Sequence, residues 1–344
     1  MKSTLNLLLM TNLERLQTTG FRRLGSPKRG FRYTSLNGHA ITKSDLERIN
    51  KLRIPPAWTE VAINAATTGR LQAVGKDAAG RWQYLYHENH TRQQDAKKFK
   101  RVTQFAQALP AMRSAIARDL KQPGLHRERV LACVLRILSS CSMRPGSDVY
   151  ARDNGSFGIA TLRKNHVNVK KDTIHFDFPG KSGVRQQREL KDHRIAKVVR
   201  SLLKLPGRRV FQYQNGEGQF VDVTSNHINA YIKEVMGDRF SAKDFRTWAG
   251  TLICACALAR VGNDDEVSLT ARKKIIVAAI KETSEALGNT PAVCRSSYIC
   301  PQVLSSFERG KILSNCFTSV EAFLHYRGNK LHSAERALLK LMKQ

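Results

Sequence analysis

The stretch that decides the fold reads SAKDFRTWAGTLICACALARVG and covers residues 241–262. Asp244 follows Ser241 by three positions, close to a capping box, so a helix is predicted to begin here. A second apolar helical pattern, RERVLACVLRILSSCSM, covers residues 127–143, and the chain after position 192 reads as mostly helices. The larger part of the protein is therefore expected to be helical. Three residues of the first stretch are expected to pack inward: Phe245, Trp248 and Leu252.

Two cations stand near the start of the predicted helix. Lys243 and Arg246 are three residues apart, a spacing that places both on one face. Fixed cations at a helix N-terminus bind phosphate well. Taken alone, the pair is more simply interpreted as a solvated basic face.

A late tyrosine follows a helix signal of its own in LGNTPAVCRSSY, residues 287–298. Gly288 is expected to end one helix, and Thr290 to cap the next with Pro291 at its first position. Tyr298 then lies about two turns into that short helix. A lone tyrosine is usually structural, but neighbouring cations that favour its ionised form would make it a nucleophile.

An arginine and a lysine stand at two further chain reversals. Arg144 directly follows the second apolar pattern, and Pro145 forces the chain out of the helix there. The segments SFGIATL and HVNVKK are predicted to be strands. The run TIHFDFPGKSGVRQQREL, residues 173–190, alternates as a hairpin with Lys181 at its tip.

The N-terminal third has the pattern of a small sheet. VAINAA, GRLQAVG and GRWQYLYH are predicted strands separated by glycine turns, and Ser44 is expected to cap a short helix before them. The fold class is α+β. Residues 1–30 are expected to be a flexible basic lead-in, residues 31–95 a β-rich domain, and residues 96–344 a mostly helical domain carrying a small sheet.

The net charge of the chain indicates the kind of partner that it binds. The chain of 344 residues has 58 Lys and Arg against 28 Asp and Glu, a formal net charge of +30. A dense polyanion such as duplex DNA or RNA would neutralise it, with an anionic membrane surface as the weaker alternative. Charge alone does not exclude a soluble basic protein that has no such partner.

Cysteine and acidic residues give no sign of a disulfide framework or a metal site. The seven cysteines are odd in number, include no CxxC pair and are expected to be buried and reduced. His87 and His90 lack a second ligand pair, and the acidic run 264–266 reads as solvated charge. No stretch is long and apolar enough for a membrane span, so a cytoplasmic protein is expected.

The order Arg144, Lys181, Arg246, Tyr298 resembles the type IB DNA topoisomerase family, in its compact poxviral and bacterial members. The resemblance extends from Arg53 to Tyr298. It rests on six stretches: LRIPPAW, QAVGKDAAGRWQYLYH, DNGSFGIATLRKNHV, FPGKSG, AKDFRTWAGT and LGNTPAVCRSSY.

The resemblance implies roles for five residues. Tyr298 matches the nucleophile that forms a 3′-phosphotyrosyl link, and Arg144 and Arg246 match the arginines that hold the scissile phosphate. Lys181 matches the general acid that protonates the departing 5′ oxygen. Asn289 occupies the place of a histidine in poxviral members and matches bacterial members. It would donate a neutral hydrogen bond to a phosphate oxygen without supplying charge.

Further residues match DNA-contacting positions of the family, and together they imply a clamp of two domains around duplex DNA. From their own pattern, Tyr84 and Tyr86 share one face of a strand and have packing of the sheet as the alternative role. The resemblance implies relaxation of supercoiled DNA without ATP, metal or other cofactor, by a monomer that is cytoplasmic and nucleoid-associated in a bacterium, with a viral or nuclear setting as alternatives. The implied DNA-contacting residues are Gln83, Tyr84, Tyr86, Tyr150 and Lys243.

Two other classes of protein stay in view. A tyrosine recombinase or integrase shares the arginine pair, the lysine and the tyrosine. Here its HxxR pattern is replaced by Lys243-Asp-Phe-Arg246, and the N-terminal strands do not resemble recombinase arms. A non-catalytic nucleic-acid-binding protein would bind DNA equally well without Tyr298.

Overall fold

The computed structural model describes residues 11–262 and 268–343. The chain divides into two compact units between Lys98 and Phe99, close to the boundary expected after residue 95. The acidic run 264–266 lies outside the described residues.

The first unit is built on an antiparallel sheet. Its strands are β1 (Phe21–Ser26), β2 (Gly30–Thr34), β3 (Thr59–Ile63), β4 (Leu71–Lys76) and β5 (Trp82–Tyr86). Their spatial order is β2-β1-β3-β4-β5, with antiparallel pairing throughout. Helices α1 (Asn12–Thr19) and α2 (Lys43–Lys51) accompany the sheet. Val61, Ile63 and Ala73 form a small core with Ile49 of α2.

The flexible lead-in expected for residues 1–30 is wrong in its described part. Thr11 and Glu14 form a capping box at the start of α1, with the Glu14 carboxylate accepting from the Thr11 amide at 2.8 Å. The run FRRLGSPKRG then makes the β1–β2 hairpin, with Gly25 at φ 100° and Gly30 at φ 79°. Its glycines and proline mark a tight turn between two strands.

The cap predicted for α2 is also displaced. The helix begins after Thr42, whose hydroxyl accepts from the Asp45 amide at 3.1 Å, so Thr42 and not Ser44 is the cap. Both positions carry a hydroxyl with an acidic residue three positions on, Asp45 after Thr42 and Glu47 after Ser44. In the structure the Thr42 hydroxyl contacts its acidic partner, donating to Asp45 at 2.7 Å.

The second unit is mostly helical. Helix α3 (Glu88–Asp119) begins before the division and continues beyond it. The other helices are α4 (Arg127–Ser140), α5 (Asp148–Asn154), α6 (His193–Leu203), α7 (Ser225–Met236), α8 (Ala242–Val261), α9 (Leu269–Leu287), α10 (Pro291–Ser297), α11 (Pro301–Glu308), α12 (Val320–Leu324) and α13 (Ser333–Leu341). The strands are β6 (Val167–Lys170), β7 (Thr173–Pro179), β8 (Arg185–Lys191), β9 (Gln212–Gln214) and β10 (Phe220–Asp222).

Helix α8 is the central element of the core. Every residue from Asp244 to Leu258 is buried, as a helix that is apolar on most sides requires. The three inward residues predicted from its sequence are confirmed as buried: Phe245, Trp248 and Leu252. Six of the seven cysteines are buried as well, and none of them forms a disulfide.

The small sheet follows the predicted strands with one exception. Strands β6, β7 and β8 form an antiparallel three-stranded sheet in that order, and the predicted hairpin is confirmed. SFGIATL is not a strand but contains a 3₁₀ turn at Ile159–Thr161. The amides of Ile159 and Ala160 donate to the carbonyls of Arg144 and Pro145, each at 2.9 Å, so they are unavailable to a sheet.

Among the described residues, no helix has both the length and the apolar character that a membrane crossing requires.

Candidate active site

The start of α8 is held by a carboxylate. Asp244 accepts from the Ser241 amide at 2.9 Å and from its hydroxyl at 3.0 Å, which confirms the predicted helix start. Arg101 of α3 pairs with the other carboxylate oxygen at 2.8 Å. The first turn of α8 is thereby fixed, and Arg246 lies in the next turn.

The Arg246 side chain is buried, with only 3% of its surface exposed. Its guanidinium donates to the carbonyls of Ser142 and Leu287, the latter at 2.8 Å. Its Nε atom is buried and has no hydrogen-bond partner. Lys243 is exposed, so the solvated basic face that this pair suggests on its own is wrong for Arg246.

Arg144 lies on a segment whose backbone is tightly packed. Its carbonyl accepts from the Ile159 amide at 2.9 Å. Gly158 and Gly146 allow the two chain segments to touch, because a Cβ on Gly158 would come within 2.5 Å of the Gly146 nitrogen and 2.7 Å of the Arg144 oxygen. Arg144 therefore extends from a fixed piece of backbone, as its place before Pro145 predicts.

The end of α9 presents carbonyl oxygens to both arginines. Gly288 adopts the left-handed conformation at φ 60° and the Asn289 amide reaches back to the Ser284 carbonyl at 2.9 Å, the pattern of a Schellman end. The last carbonyls of a helix have no partner inside the helix. Arg144 donates to the Gly288 carbonyl at 3.3 Å, and Arg246 donates to the preceding carbonyl, that of Leu287.

The side-chain amide of Asn289 has a nitrogen without a partner. Its Oδ1 atom accepts from Arg144, and since a guanidinium can only donate, this contact fixes which end of the amide is oxygen. The Nδ2 atom is buried and lacks a hydrogen-bond partner. A buried donor without a partner is uncommon in folded proteins, so this nitrogen is available to an acceptor that enters the site.

Tyr298 ends helix α10. Thr290 caps this helix through the Val293 amide at 3.4 Å and Pro291 is its first residue, as predicted. The half-buried Tyr298 is the residue at which the helix terminates. The guanidinium carbon of Arg246 lies 5.2 Å from the centre of the Tyr298 ring, so the late tyrosine and the arginine of α8 meet.

The backbone around Tyr298 is anchored to α8. The Thr251 hydroxyl accepts from the Cys300 amide at 3.2 Å, and its one hydrogen is shared between two carbonyls, that of Tyr298 at 3.0 Å and that of Thr247 in its own helix at 2.9 Å. Gly250 leaves no room for a side chain, because a Cβ there would lie 2.9 Å from the Tyr298 carbonyl oxygen. Arg246 and the anchor of Tyr298 thus belong to the same buried helix.

Lys181 lies at the tip of the β7–β8 hairpin, where it was predicted. It opens the turn Lys181–Gly183, in which Ser182 and Gly183 have φ values of 61° and 73°. The side chain is exposed, and no hydrogen bond or ion pair of its ammonium is found within the described part of the chain. Gly180, its neighbour, lines the same small pocket as Arg144 and Arg246.

The pocket concentrates positive charge. It is lined by Arg144, Arg188 and Arg246, and none of its described lining residues carries a carboxylate. Burial lowers the pKa of Arg144, and burial followed by the charge of Arg144 lowers the pKa of Arg246 to about 10. Because about 10 is still well above neutral pH, Arg246 stays charged there, and the pocket is suited to an anion.

The DNA-contact candidates of the first unit lie on β5. Tyr84 and Tyr86 are 42% and 45% exposed, and their rings stack with centroids 6.4 Å apart. They do not pack the interior of the sheet, which was the alternative. Gln83 points to the other face and donates to Asp77 at 2.9 Å.

The DNA-contact candidates of the second unit are on its surface. Tyr150 lies on α5 with 49% of its surface exposed, and Lys243 is exposed at the start of α8. Neither of these side chains takes part in the contacts that join Arg144, Arg246, Asn289 and Tyr298.

Four residues of the site were not found from the sequence. No sequence pattern indicates that the Ser142 carbonyl accepts from Arg246 or that Gly250 lies against Tyr298. Thr251 lies in the middle of a helix, where nothing in the sequence distinguishes its hydroxyl. Arg188 looks like an ordinary polar strand residue until its neighbours are known.

His87 and His90, which lack a second ligand pair in the sequence, accept hydrogen bonds from neighbouring residues. His90 accepts from Arg70 at 3.1 Å and His87 accepts from the Asn89 amide at 3.2 Å. No group of three or more His, Cys, Asp or Glu side chains suited to a metal ion occurs among residues 11–262 and 268–343.

Two protein-family models match the chain, one within the first unit and one mainly on the second. Residues 87–311 match the model of the catalytic core of eukaryotic DNA topoisomerase I. Residues 30–77 match the model of the N-terminal domain of bacterial DNA topoisomerase IB.

Individual relatives of the chain are also named DNA topoisomerases. DNA topoisomerase 1B of Acanthamoeba polyphaga mimivirus is 37% identical over 277 residues, covering 79% of this chain and 82% of the relative. DNA topoisomerase 1B of vaccinia virus, strain Copenhagen, is 26% identical over 263 residues, covering 75% and 80%. DNA topoisomerase 1 of Drosophila melanogaster is 22% identical over 212 residues but only 21% of its length is covered.

An α+β chain with these matches falls in the class of DNA topoisomerases. The N-terminal match and the viral relatives agree on the subtype. The chain belongs to the type IB DNA topoisomerase family.

Proposed function

We propose that this protein relaxes supercoiled duplex DNA through a covalent link between Tyr298 and a backbone phosphate. The observation that carries the proposal is the position of the Arg246 guanidinium 5.2 Å from the centre of the Tyr298 ring, in a pocket that Arg144 also lines. The phenolic oxygen attacks phosphorus, and the bond from phosphorus to the 5′ oxygen breaks. A 3′-phosphotyrosyl link and a free 5′ hydroxyl result. The reverse reaction rejoins the strand, so the phosphodiester bond is recovered without ATP.

Arg144, Arg246 and Asn289 serve the phosphate in this proposal. In-line displacement at phosphorus spreads negative charge over the equatorial oxygens, and fixed donors around them lower the barrier. The two guanidiniums supply permanent charge and forked donors. Asn289 supplies its unpartnered Nδ2 hydrogens, and the bond from Arg144 to its oxygen fixes the amide beside that guanidinium.

Lys181 donates the proton that the leaving oxygen requires. An alkoxide is a strong base and leaves poorly unless it is protonated as the bond breaks. An ammonium can give up a proton for this purpose, whereas a guanidinium holds its proton too tightly. The place of Lys181 at an exposed hairpin tip, next to a residue that lines the pocket, suits a group that must reach the 5′ side of the phosphate.

The exposed tyrosines are proposed to hold the duplex. Tyr84 and Tyr86 form a flat, stacked aromatic pair on the first unit, and Tyr150 and Lys243 are exposed on the second. Aromatic faces and hydroxyls suit contacts with DNA, and a cation suits a phosphate. Gln83 is proposed to exchange its bond with Asp77 for a contact with DNA.

The proposed function is tested on a supercoiled plasmid in EDTA without ATP. We expect relaxation of both positive and negative supercoils, because the charge that stabilises the transition state comes from the protein's own side chains. Gel electrophoresis under denaturing conditions should reveal a covalent adduct. An absolute requirement for magnesium would contradict the mechanism. A requirement for paired recognition sites would point instead to a recombinase.

The anchor of Tyr298 on α8 gives a second prediction. Gly250→Ala should slow adduct formation by up to about 10²-fold, because displacing a reacting group by about 1 Å can have that effect, and the new Cβ would lie 2.9 Å from the Tyr298 carbonyl. The measurement is the single-turnover rate on a short duplex. Gly216→Ala is the matched control, since nothing lies within 4 Å of the added Cβ. A Gly250→Ala rate equal to that of the control would show that the close contact does not position the tyrosine.

A further inference from the structure

Arg188 stands at an inward position of strand β8. Side chains alternate along this strand, with Gln186 and Leu190 buried and Arg185, Gln187 and Glu189 exposed. Arg188 shares the inward face with Gln186 and Leu190 and is itself only partly exposed. Successive side chains of a strand point to opposite faces, so the inward face is where an apolar residue is expected. A charged residue there calls for a physical reason.

The contacts of Arg188 do not supply that reason. Its Nη2 atom donates to the Gln186 side chain at 3.2 Å, and its Nη1 atom donates at 3.4 Å to the carbonyl of Gln187, its own neighbour. Neither partner is charged. Within the described part of the chain, no carboxylate forms an ion pair with Arg188. A half-buried guanidinium without a counter-charge is unfavourable unless an anion joins it.

The surroundings of Arg188 indicate where such an anion would bind. Arg188 lines the same small pocket as Arg144 and Arg246. Gly288, at the end of α9, lies against it, because a Cβ there would come within 2.9 Å of the Arg188 Nη2 atom. Asn289, with its unpartnered amide nitrogen, is the next residue along the chain. Burial and the charge of Arg144 both lower the pKa of Arg188, which agrees with a crowded group of like charges.

We propose that Arg188 is a third guanidinium of the phosphate pocket and contacts a non-bridging oxygen of the scissile phosphate. This inference rests on the proposed function and adds a substrate-contacting residue to it. The combined positive charge of three guanidiniums exceeds the single negative charge that a phosphodiester carries in the ground state. They match the transition state, in which charge increases on the oxygens that do not leave.

The test pairs a change in the protein with a change in the DNA. Arg188→Met keeps the length of the side chain and removes its charge. The substrate is a short duplex with either an ordinary phosphate or a methylphosphonate of each configuration at the cleavage site, so that one non-bridging oxygen at a time is replaced by a neutral methyl group. The rate of adduct formation is measured in a single turnover. Lys191→Met is the control, because it removes one charge from the outward face of the same strand.

We expect Arg188→Met to slow cleavage of the ordinary phosphate by about 10²-fold, the usual effect of losing one such donor, and Lys191→Met to leave the rate unchanged. On one of the two methylphosphonates the difference between Arg188→Met and the wild type should largely disappear, since the oxygen that Arg188 contacts is absent. Arg188→Lys should recover part of the rate on phosphate, as it restores charge without the fork.

Other outcomes separate the two proposals. A rate for Arg188→Met equal to wild type, or an equal loss on the phosphate and on both methylphosphonates, would refute the contact while leaving the proposed function intact. A wild-type protein that forms no adduct on the ordinary phosphate would refute the proposed function itself. If circular dichroism shows that the Met variant is unfolded, Arg188→Lys replaces it in the same comparison. Its loss of cleavage rate should likewise be confined to substrates that keep the oxygen contacted by Arg188.

Discussion

The Tyr298→Phe protein is expected to bind supercoiled DNA normally and to leave it uncut. The substitution removes one oxygen and keeps the ring that Arg246 covers at 5.2 Å, so the folded structure should be unchanged. Without the hydroxyl no phosphotyrosyl link forms, and relaxation should fall by a factor on the order of 10⁴ or more, as when other covalent enzymes lose their nucleophile. Plasmid relaxation and the denaturing gel measure the activity, and a filter or mobility assay measures DNA binding.

Tyr213→Phe serves as the matched control for this variant. Tyr213 is a half-buried tyrosine of the same unit whose ring packs against His227 at 5.6 Å, away from the arginine pocket. It should relax DNA at the wild-type rate. Loss of DNA binding in Tyr298→Phe, with relaxation retained per bound molecule, would mean that Tyr298 is a structural tyrosine.

The second large effect is expected for Lys181→Ala. Removing a general acid typically slows a reaction by about 10²–10⁴-fold, and the exposed hairpin tip should fold without this side chain. A substrate with sulfur in place of the 5′ bridging oxygen should restore the rate, because a thiolate is a far better leaving group than an alkoxide and needs no proton. Single-turnover cleavage of the two substrates gives the comparison.

Lys170→Ala is the control for the loss of a lysine from the same sheet. Lys170 is exposed on β6 and outside the pocket, so its removal should slow neither substrate. Should Lys181→Ala be equally slow on the oxygen and the sulfur substrates, Lys181 would act on the phosphate or on DNA binding and not as the proton donor.

Local signals in the sequence located much of the site. The Ser241 cap, the Gly288 helix end, the Thr290–Pro291 helix start and the Lys181 hairpin each depend on residues within a few positions of one another, and the structure contains all four. Short-range hydrogen bonding determines such features, so they can be predicted without knowing the fold.

Features that depend on distant parts of the chain were beyond such reasoning. Arg246 is buried because carbonyls 104 and 41 positions away accept its hydrogen bonds, and no local pattern distinguishes it from the exposed Lys243. Arg188 differs from its polar neighbours only through what lies opposite it in the fold. The error at FRRLGSPKRG has another cause. Turn residues and basic residues suit both a loose tail and a hairpin, and pairing of β1 with β3 decides in favour of the hairpin.

The hydrogen bonds of the Thr251 hydroxyl with the backbone of Tyr298 and Cys300 have a mechanical consequence. In the proposed mechanism, rotation of the cut duplex exerts torque on Tyr298, which holds one end of the broken strand. Tyr298 is attached to α8 through its own carbonyl and through the amide two positions on, within the part of that helix where every residue from Asp244 to Leu258 is buried. The load is therefore transmitted into the interior of the protein, and the short helix α10 does not bear it alone. Because Arg246 and Thr251 belong to the same buried stretch of α8, the proposed nucleophile and the arginine beside it share one support, which we expect to keep the broken end aligned for resealing.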